Sequence, residues 1–141
     1  MIDPTAVIRR PSNLYGEISI GPRTKIAAGV DAGDCTIGAD CKLQAGSFVA
    51  PGTVIGDRVF VGPGATICND RDPHAVGEWT PQPVTIGDDA SIGACAVIHG
   101  GVTIGAGAVI DATSNVIRDV PAGGRVRAPQ STYEEPARCV S

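Results

Sequence analysis

Hydrophobic and polar positions along this chain recur with a period that fits neither a helix nor an ordinary strand. From Ile86 an aliphatic residue returns at every sixth position, through Ile92, Ile98, Ile104 and Ile110. Four residues after each stands a small or β-branched side chain: Ala90, Ala96, Val102, Ala108 and Ser114. Helices repeat every 3.6 residues and half-buried strands every two, so a period of six predicts a solenoid of short strands joined by turns. The same spacing runs from Ile2 through Ile8, Leu14, Ile20 and Ile26, and again from Ile37 through Leu43, Val49, Ile55, Val61 and Ile67. Ile26 and Ile37 are eleven apart instead of twelve, so a bulge or pinched turn is expected near residues 31–34.

Residues 68–83 carry no sixfold pattern; they hold charge, the single Trp79, and Pro81 and Pro83 at their end. Register resumes at Ile86 and runs through Val116. The expected architecture is therefore all-β, about six three-sided coils stacked at roughly 4.8 Å. One inserted loop, residues 68–83, interrupts a repeat domain spanning residues 1–121, and a tail covers residues 122–141. Insertions in repeat proteins commonly build the binding face. In the tail and its approach, Arg118, Arg125 and Arg127 read either as part of a solvated cap or as a phosphate contact.

Composition narrows the classes. Hydrophobic residues make up 43% of the chain and charged ones only 18%, too apolar for a disordered segment. Nineteen glycines and eleven prolines demand many turns, and the 4% aromatic content suits a narrow coil filled by Ile, Val and Ala. Five scattered cysteines, Cys35, Cys41, Cys68, Cys95 and Cys139, give neither paired spacing for a zinc knuckle nor an even count for a disulfide framework. The net charge of −4 argues against a nucleic-acid partner. No stretch has the length or flanks of a signal peptide or membrane span, so a cytoplasmic protein without a membrane partner is expected.

Counting by sixes also predicts which residues stack. Ile55, Val61 and Ile67 should lie below Ile86, Ile92 and Ile98, and those below Ile104, Ile110 and Val116. His99 then sits over Cys68 and Gly100 over Asn69, within a few ångströms of the loop root, because neighbouring strands stack closely. An imidazole, an Asn amide and the Asp70 carboxylate meeting at a loop root form the most chemical place in the chain.

With those residues in view, the chain resembles the hexapeptide-repeat acyltransferases, whose fold is a left-handed parallel β-helix and which work as homotrimers with acyl-CoA between subunits. The segments VFVGPGATICNDRDPHA, Trp79, VTIGDDASIGACAVIHGGVTIG and VIRDVP are similar to N-acetyltransferases of nucleotide-linked amino sugars, those acting on UDP- or dTDP-3-amino sugars. The resemblance implies acetyl-CoA as acyl donor and no metal. It implies that Asn69 and Asp70 orient the sugar amine, that backbone groups at Ala94 and Ala112 meet the pantetheine arm, and that Ile117 and Arg118 lie near the nucleotide end of CoA. His74 departs from the family's usual Arg, Asp111 to Ser114 from its usual Gly-Ala-Gly-Ser turn, and RAPQS from its usual ending.

The implied chemistry is attack of a neutral amine on a thioester, and a base near neutral pKa assists such a step. His99 is the preferred base, with a backbone N–H near Gly100 or Gly101 as oxyanion donor. The alternative for His99 is a turn residue without a proton-transfer role, positioning alone supplying the rate. Arg71, His74 and Trp79 are expected to contact substrate. Trp79 reads also as a cover against a neighbouring subunit, the reading preferred for a single aromatic, and Asp70 also as a loop cap. Two classes compete: a different small acceptor for the same acyl donor, and a noncatalytic scaffold. A three-histidine zinc enzyme on this coil is disfavoured, because His74 and His99 are the only histidines.

Overall fold

The computed structural model describes residues 1–137, so Cys139 and the end of the tail lie outside the described residues. All regular structure there is β, and no helix is long and apolar enough to cross a membrane. In chain order the first nine strands are β1 (Val7–Ile8), β2 (Asn13–Tyr15), β3 (Ser19–Ile20), β4 (Lys25–Ile26), β5 (Asp31–Gly33), β6 (Thr36–Ile37), β7 (Lys42–Leu43), β8 (Phe48–Val49) and β9 (Val54–Ile55). The rest are β10 (Phe60–Val61), β11 (Thr66–Ile67), β12 (Thr85–Ile86), β13 (Ser91–Ile92), β14 (Val97–Ile98), β15 (Thr103–Ile104), β16 (Val109–Ile110), β17 (Asn115–Val116) and β18 (Arg125–Val126).

Every third strand pairs in parallel, which makes three flat faces. The first face runs β1-β4-β7-β10-β13-β16-β18, the second β2-β5-β8-β11-β14-β17, and the third β3-β6-β9-β12-β15. Within most strands one residue points out and its successor points in, so Ile37, Ile55, Ile86 and Ile104 stack in one column with almost no exposure. β-Branched residues suit this pleated, half-buried backbone. Each fully buried Ile or Val contributes on the order of 1.5–3 kcal/mol of transfer free energy.

The short coil is absorbed where the count predicted. Ala32 takes the inward place after Ile26, and Ile37 follows it five residues later. The ring of Tyr15 occupies the space a Cβ on Gly33 would need, and Asp34 turns the chain with φ 42°.

The column is longer than the sixfold pattern indicates. Ile104 bridges to Val120 and β18 pairs with β16, giving about seven turns, so the stack continues past residue 121. The hexad falls two residues short between Val116 and Val120 and resumes from Val120 to Val126, without breaking the backbone ladder: the Gly105 N–H donates to the Val120 carbonyl at 2.8 Å.

The three corners differ in chemistry. Between the third and first faces, Arg23, Asp40, Arg58 and Asp89 all adopt left-handed φ, from 56° to 62°. They form the ion pairs Arg23–Asp40 and Arg58–Asp89, each at 2.7 Å. The corner between the first and second faces carries small residues such as Gly46, Gly64 and Ala94. The inserted loop leaves from the remaining corner, between the second and third faces, and β12 still pairs with β9 beneath it.

If burial in the column sets stability, Ile86→Ala should cost about 2–5 kcal/mol in denaturant unfolding. Its outward neighbour substitution Thr85→Ala should stay within about 0.5 kcal/mol. Similar costs for both would contradict the in-and-out alternation.

Candidate active site

Pairing of β11 with β14 and of β14 with β17 builds the site's floor. The Cys68 N–H donates to Ile98 O at 2.9 Å and the His99 N–H to Val116 O at 3.0 Å, so Cys68, His99 and Ile117 stand one above another at the loop corner. The loop departs after Cys68, and its root is zipped onto the coil above. Gly100 N–H donates to Asp70 O at 3.2 Å, Gln82 N–H to Asn69 O at 2.8 Å, and Gly101 N–H to Gln82 O at 2.8 Å. Gly100 is needed here, since a Cβ would lie 2.6 Å from the Asp70 nitrogen, a backbone atom that cannot swing away. The Arg71 guanidinium donates to Gly100 O at 3.1 Å and also to Ile117 O, which staples the loop across two successive coils.

The expected catalytic residues converge. His99, Asn69, Asp70 and Arg71, together with Phe48, Cys68 and Pro73, line one cavity of about 300 Å³ on the second face. His99 Nε2 lies 2.7 Å from Asn115 Oδ1, a partner the sequence reading did not single out. Asn69 is buried, and its amide donates to Pro51 O at 3.1 Å on the coil below. The Trp79 indole N–H donates to the Asp70 carboxylate, so these two residues close the loop on itself.

Three details differ from expectation. The N–H groups of Gly100 and Gly101, expected to serve an oxyanion, are already bonded to loop carbonyls, because the loop root forms its own ladder with this turn. His74 is engaged within the loop: Nδ1 faces Asp72 O at 2.9 Å and Nε2 faces Glu78 O at 2.7 Å. The expected cofactor residues fall at two corners. Ala94 and Ala112 nest at the small-residue corner, where Thr113 N–H donates to Ala94 O at 2.8 Å. Exposed Ile117 and Arg118 lie at the loop corner. The four thus bracket the second face at both edges.

Cys68 lines the same cavity, yet its thiol is pushed up from its ordinary value, first by burial and then by the Asp70 charge. A thiol so disfavoured as thiolate is a poor acyl acceptor. Among the described residues no three His, Cys, Asp or Glu side chains converge to hold a metal ion.

Three faces of short parallel strands, wound with one loop thrown from a corner, make a parallel β-helix of hexapeptide repeats. The chain belongs to the bacterial transferase hexapeptide family (six repeats), which matches residues 34–69 and 83–118. Serine acetyltransferase 4 of Arabidopsis thaliana is 35% identical over 129 residues, which cover 86% of this chain and 30% of that protein. WeeI from Acinetobacter baumannii AYE superposes with a TM-score of 0.68 at 29% identity, over 89% of this chain and 53% of that one. PerB from Caulobacter crescentus, solved with CoA and GDP-perosamine, superposes with a TM-score of 0.63 at 26% identity, over 88% of this chain and 51% of that one. The chain thus spans about a third of the curated relative and about half of each of these two solved chains.

The His74 contacts make a pH prediction. A carbonyl only accepts, so both contacts are satisfied together only by the imidazolium, and these two bonds, with the charges of Asp70 and Asp72, raise the His74 pKa. A raised folded-state pKa means the tether is fully present below the unfolded histidine value of about 6.5 and is lost as pH rises through the folded value. Amide hydrogen exchange across residues 72–78, corrected for intrinsic rates, should therefore accelerate from pH about 6 to about 8.5. His74→Ala should abolish that dependence, and an unchanged profile in the variant would contradict the tether.

Proposed function

We propose that this chain transfers an acetyl group from acetyl-CoA to the amine of a nucleotide-linked amino sugar, working as a homotrimer with the cosubstrate in the cleft between subunits. The observation that carries the reading is the shared cavity of His99 and the Asn69 to Arg71 loop root. Support comes from family membership, from the acetyltransferase relative, and from PerB binding CoA and a nucleotide-linked sugar.

In this reading the amine nitrogen attacks the thioester carbonyl carbon as the C–N bond forms. The C–S bond then breaks, and the amine proton passes by way of His99 to the departing CoA sulfur, leaving an amide and a free thiol. General base assistance of this kind is worth about a hundred- to ten-thousandfold. Oriented binding of two reactants supplies several kcal/mol more. Arg71 holds the loop root against the coil, keeping one wall of the cavity at fixed distance from the imidazole. The pantetheine arm would cross the second face from Ala94 and Ala112, and Ile117 and Arg118 would meet the end near the nucleotide, where guanidinium and phosphate pair well.

A second acceptor class is favoured by one observation, the 35% identity to a serine acetyltransferase, so serine belongs in the same assay. The test is turnover of acetyl-CoA against UDP-, dTDP- and GDP-amino sugars and serine. The amino sugars should be acetylated, CoA should raise the melting temperature by mass action, and His99→Ala should lose at least about a hundredfold in kcat while keeping the CoA-induced shift. Acetylation of serine alone would replace the sugar reading. Absence of any CoA-induced shift would favour the scaffold.

A further inference from the structure

We propose that Asn115 is the positioning residue for His99: its side-chain oxygen accepts the Nε2 proton, holds the neutral ring in the Nε2–H tautomer, and leaves Nδ1 to take the proton. The assignment of a proton-transfer role rests on the acetyl-transfer reading above; the tautomer does not.

The geometry comes from register. Val97 and Ile98 pair with Asn115 and Val116, so His99 falls opposite Ile117, and Asn115 is its diagonal neighbour on the outer side of the second face. Neighbouring strands lie about 4.8 Å apart and alternate residues about 6.6 Å along a strand, so diagonal neighbours are about 8 Å apart, a span that an imidazole and an amide together can bridge. The observed contact, Nε2 to Oδ1 at 2.7 Å, is that bridge. Both residues hang from one locked piece of backbone, because the His99 N–H donates to Val116 O, the residue after Asn115, and the Val97 N–H to Ser114 O, the residue before it. The ladder therefore fixes the spacing of the two Cα atoms along the face.

The cavity's other charged groups are engaged elsewhere. The Asp70 carboxylate accepts from Trp79, and the Arg71 guanidinium donates to Gly100 O and Ile117 O. Asn115 is therefore the side chain that orients the ring. It does so as a neutral amide, and this choice has a consequence. A carboxylate in its place would favour imidazolium and keep the ring protonated at neutral pH, whereas an amide fixes the tautomer without adding charge.

Long-range proton–nitrogen NMR on the labelled, full-length protein tests this without any substrate, and with only two histidines the spectrum is assignable by His74→Gln. In its neutral form His99 should show the Nε2–H pattern, and Asn115→Leu should shift it to a mixture of tautomers. An Nδ1–H pattern in the parent, or an unchanged one in the variant, would overturn the proposal. In the acetylation assay Asn115→Leu should lower kcat about tenfold or more while KM for acetyl-CoA stays within about twofold. Asn115→Asp should move the acidic limb of kcat/KM upward by about one pH unit. Kinetics unmoved by both substitutions would also overturn it. If no acceptor is acetylated but the Nε2–H tautomer is present and depends on Asn115, the reading of the reaction fails and the positioning of the ring stands.

Discussion

Parallel stacking in strict register is the constraint on which the rest of this molecule depends. Most strands have only two ladder residues, one out and one in, so a slip of one residue would turn the Ile and Val column outward on that face. The ladder therefore holds even where the sequence is short or long. Ala32 substitutes for a large residue in the seventeen-residue coil, and β12 pairs with β9 across a coil lengthened by thirteen residues. What the ladder fixes is less the core than the corners, because residues on successive turns are held over one another with no freedom to rearrange.

That rigidity lets the corners specialise. One carries alternating Arg and Asp that pair between coils, and one carries small residues whose turns nest so closely that a Cβ on Gly93 would lie 2.3 Å from the Ala112 nitrogen. The third takes the insertion. Anchoring through Gly100, Gly101, Gln82 and Arg71 makes this loop part of the ladder at its root, while its tip is closed by His74 and by the Asp70–Trp79 contact. The insertion is thus held at its root in fixed geometry next to His99.

Much of this was legible in the residues. A period of six marks inward positions, and inward positions alone determine the stacking, so the three faces, the pinched coil near Asp34 and the place of His99 over Cys68 follow from counting. The seventh turn does not, because the step from Val116 to Val120 is four residues instead of six, and backbone hydrogen bonds, which carry no sequence signature, carry the column across it. Asn115 escaped for a related reason: the count aligns residues directly above one another, and its contact with His99 is diagonal, between outward side chains. The spacing could have disclosed it, since Asn115 precedes by two the residue stacked on His99. The roles of His74 and of the Gly100 and Gly101 N–H groups depend on how an aperiodic loop folds back, and no periodicity encodes that.

The central claim is that a count of hexapeptides brings acyl donor, loop root and imidazole to one face of the column. A crystal structure of the protein soaked with CoA addresses it most directly. The account predicts the pantetheine arm along the second face, between the corner of Ala94 and Ala112 and that of Ile117 and Arg118, with the sulfur about one hydrogen-bond length, or one water, from His99. CoA seated along the corner of Arg23, Asp40 and Arg58, or with its sulfur remote from His99, would contradict it.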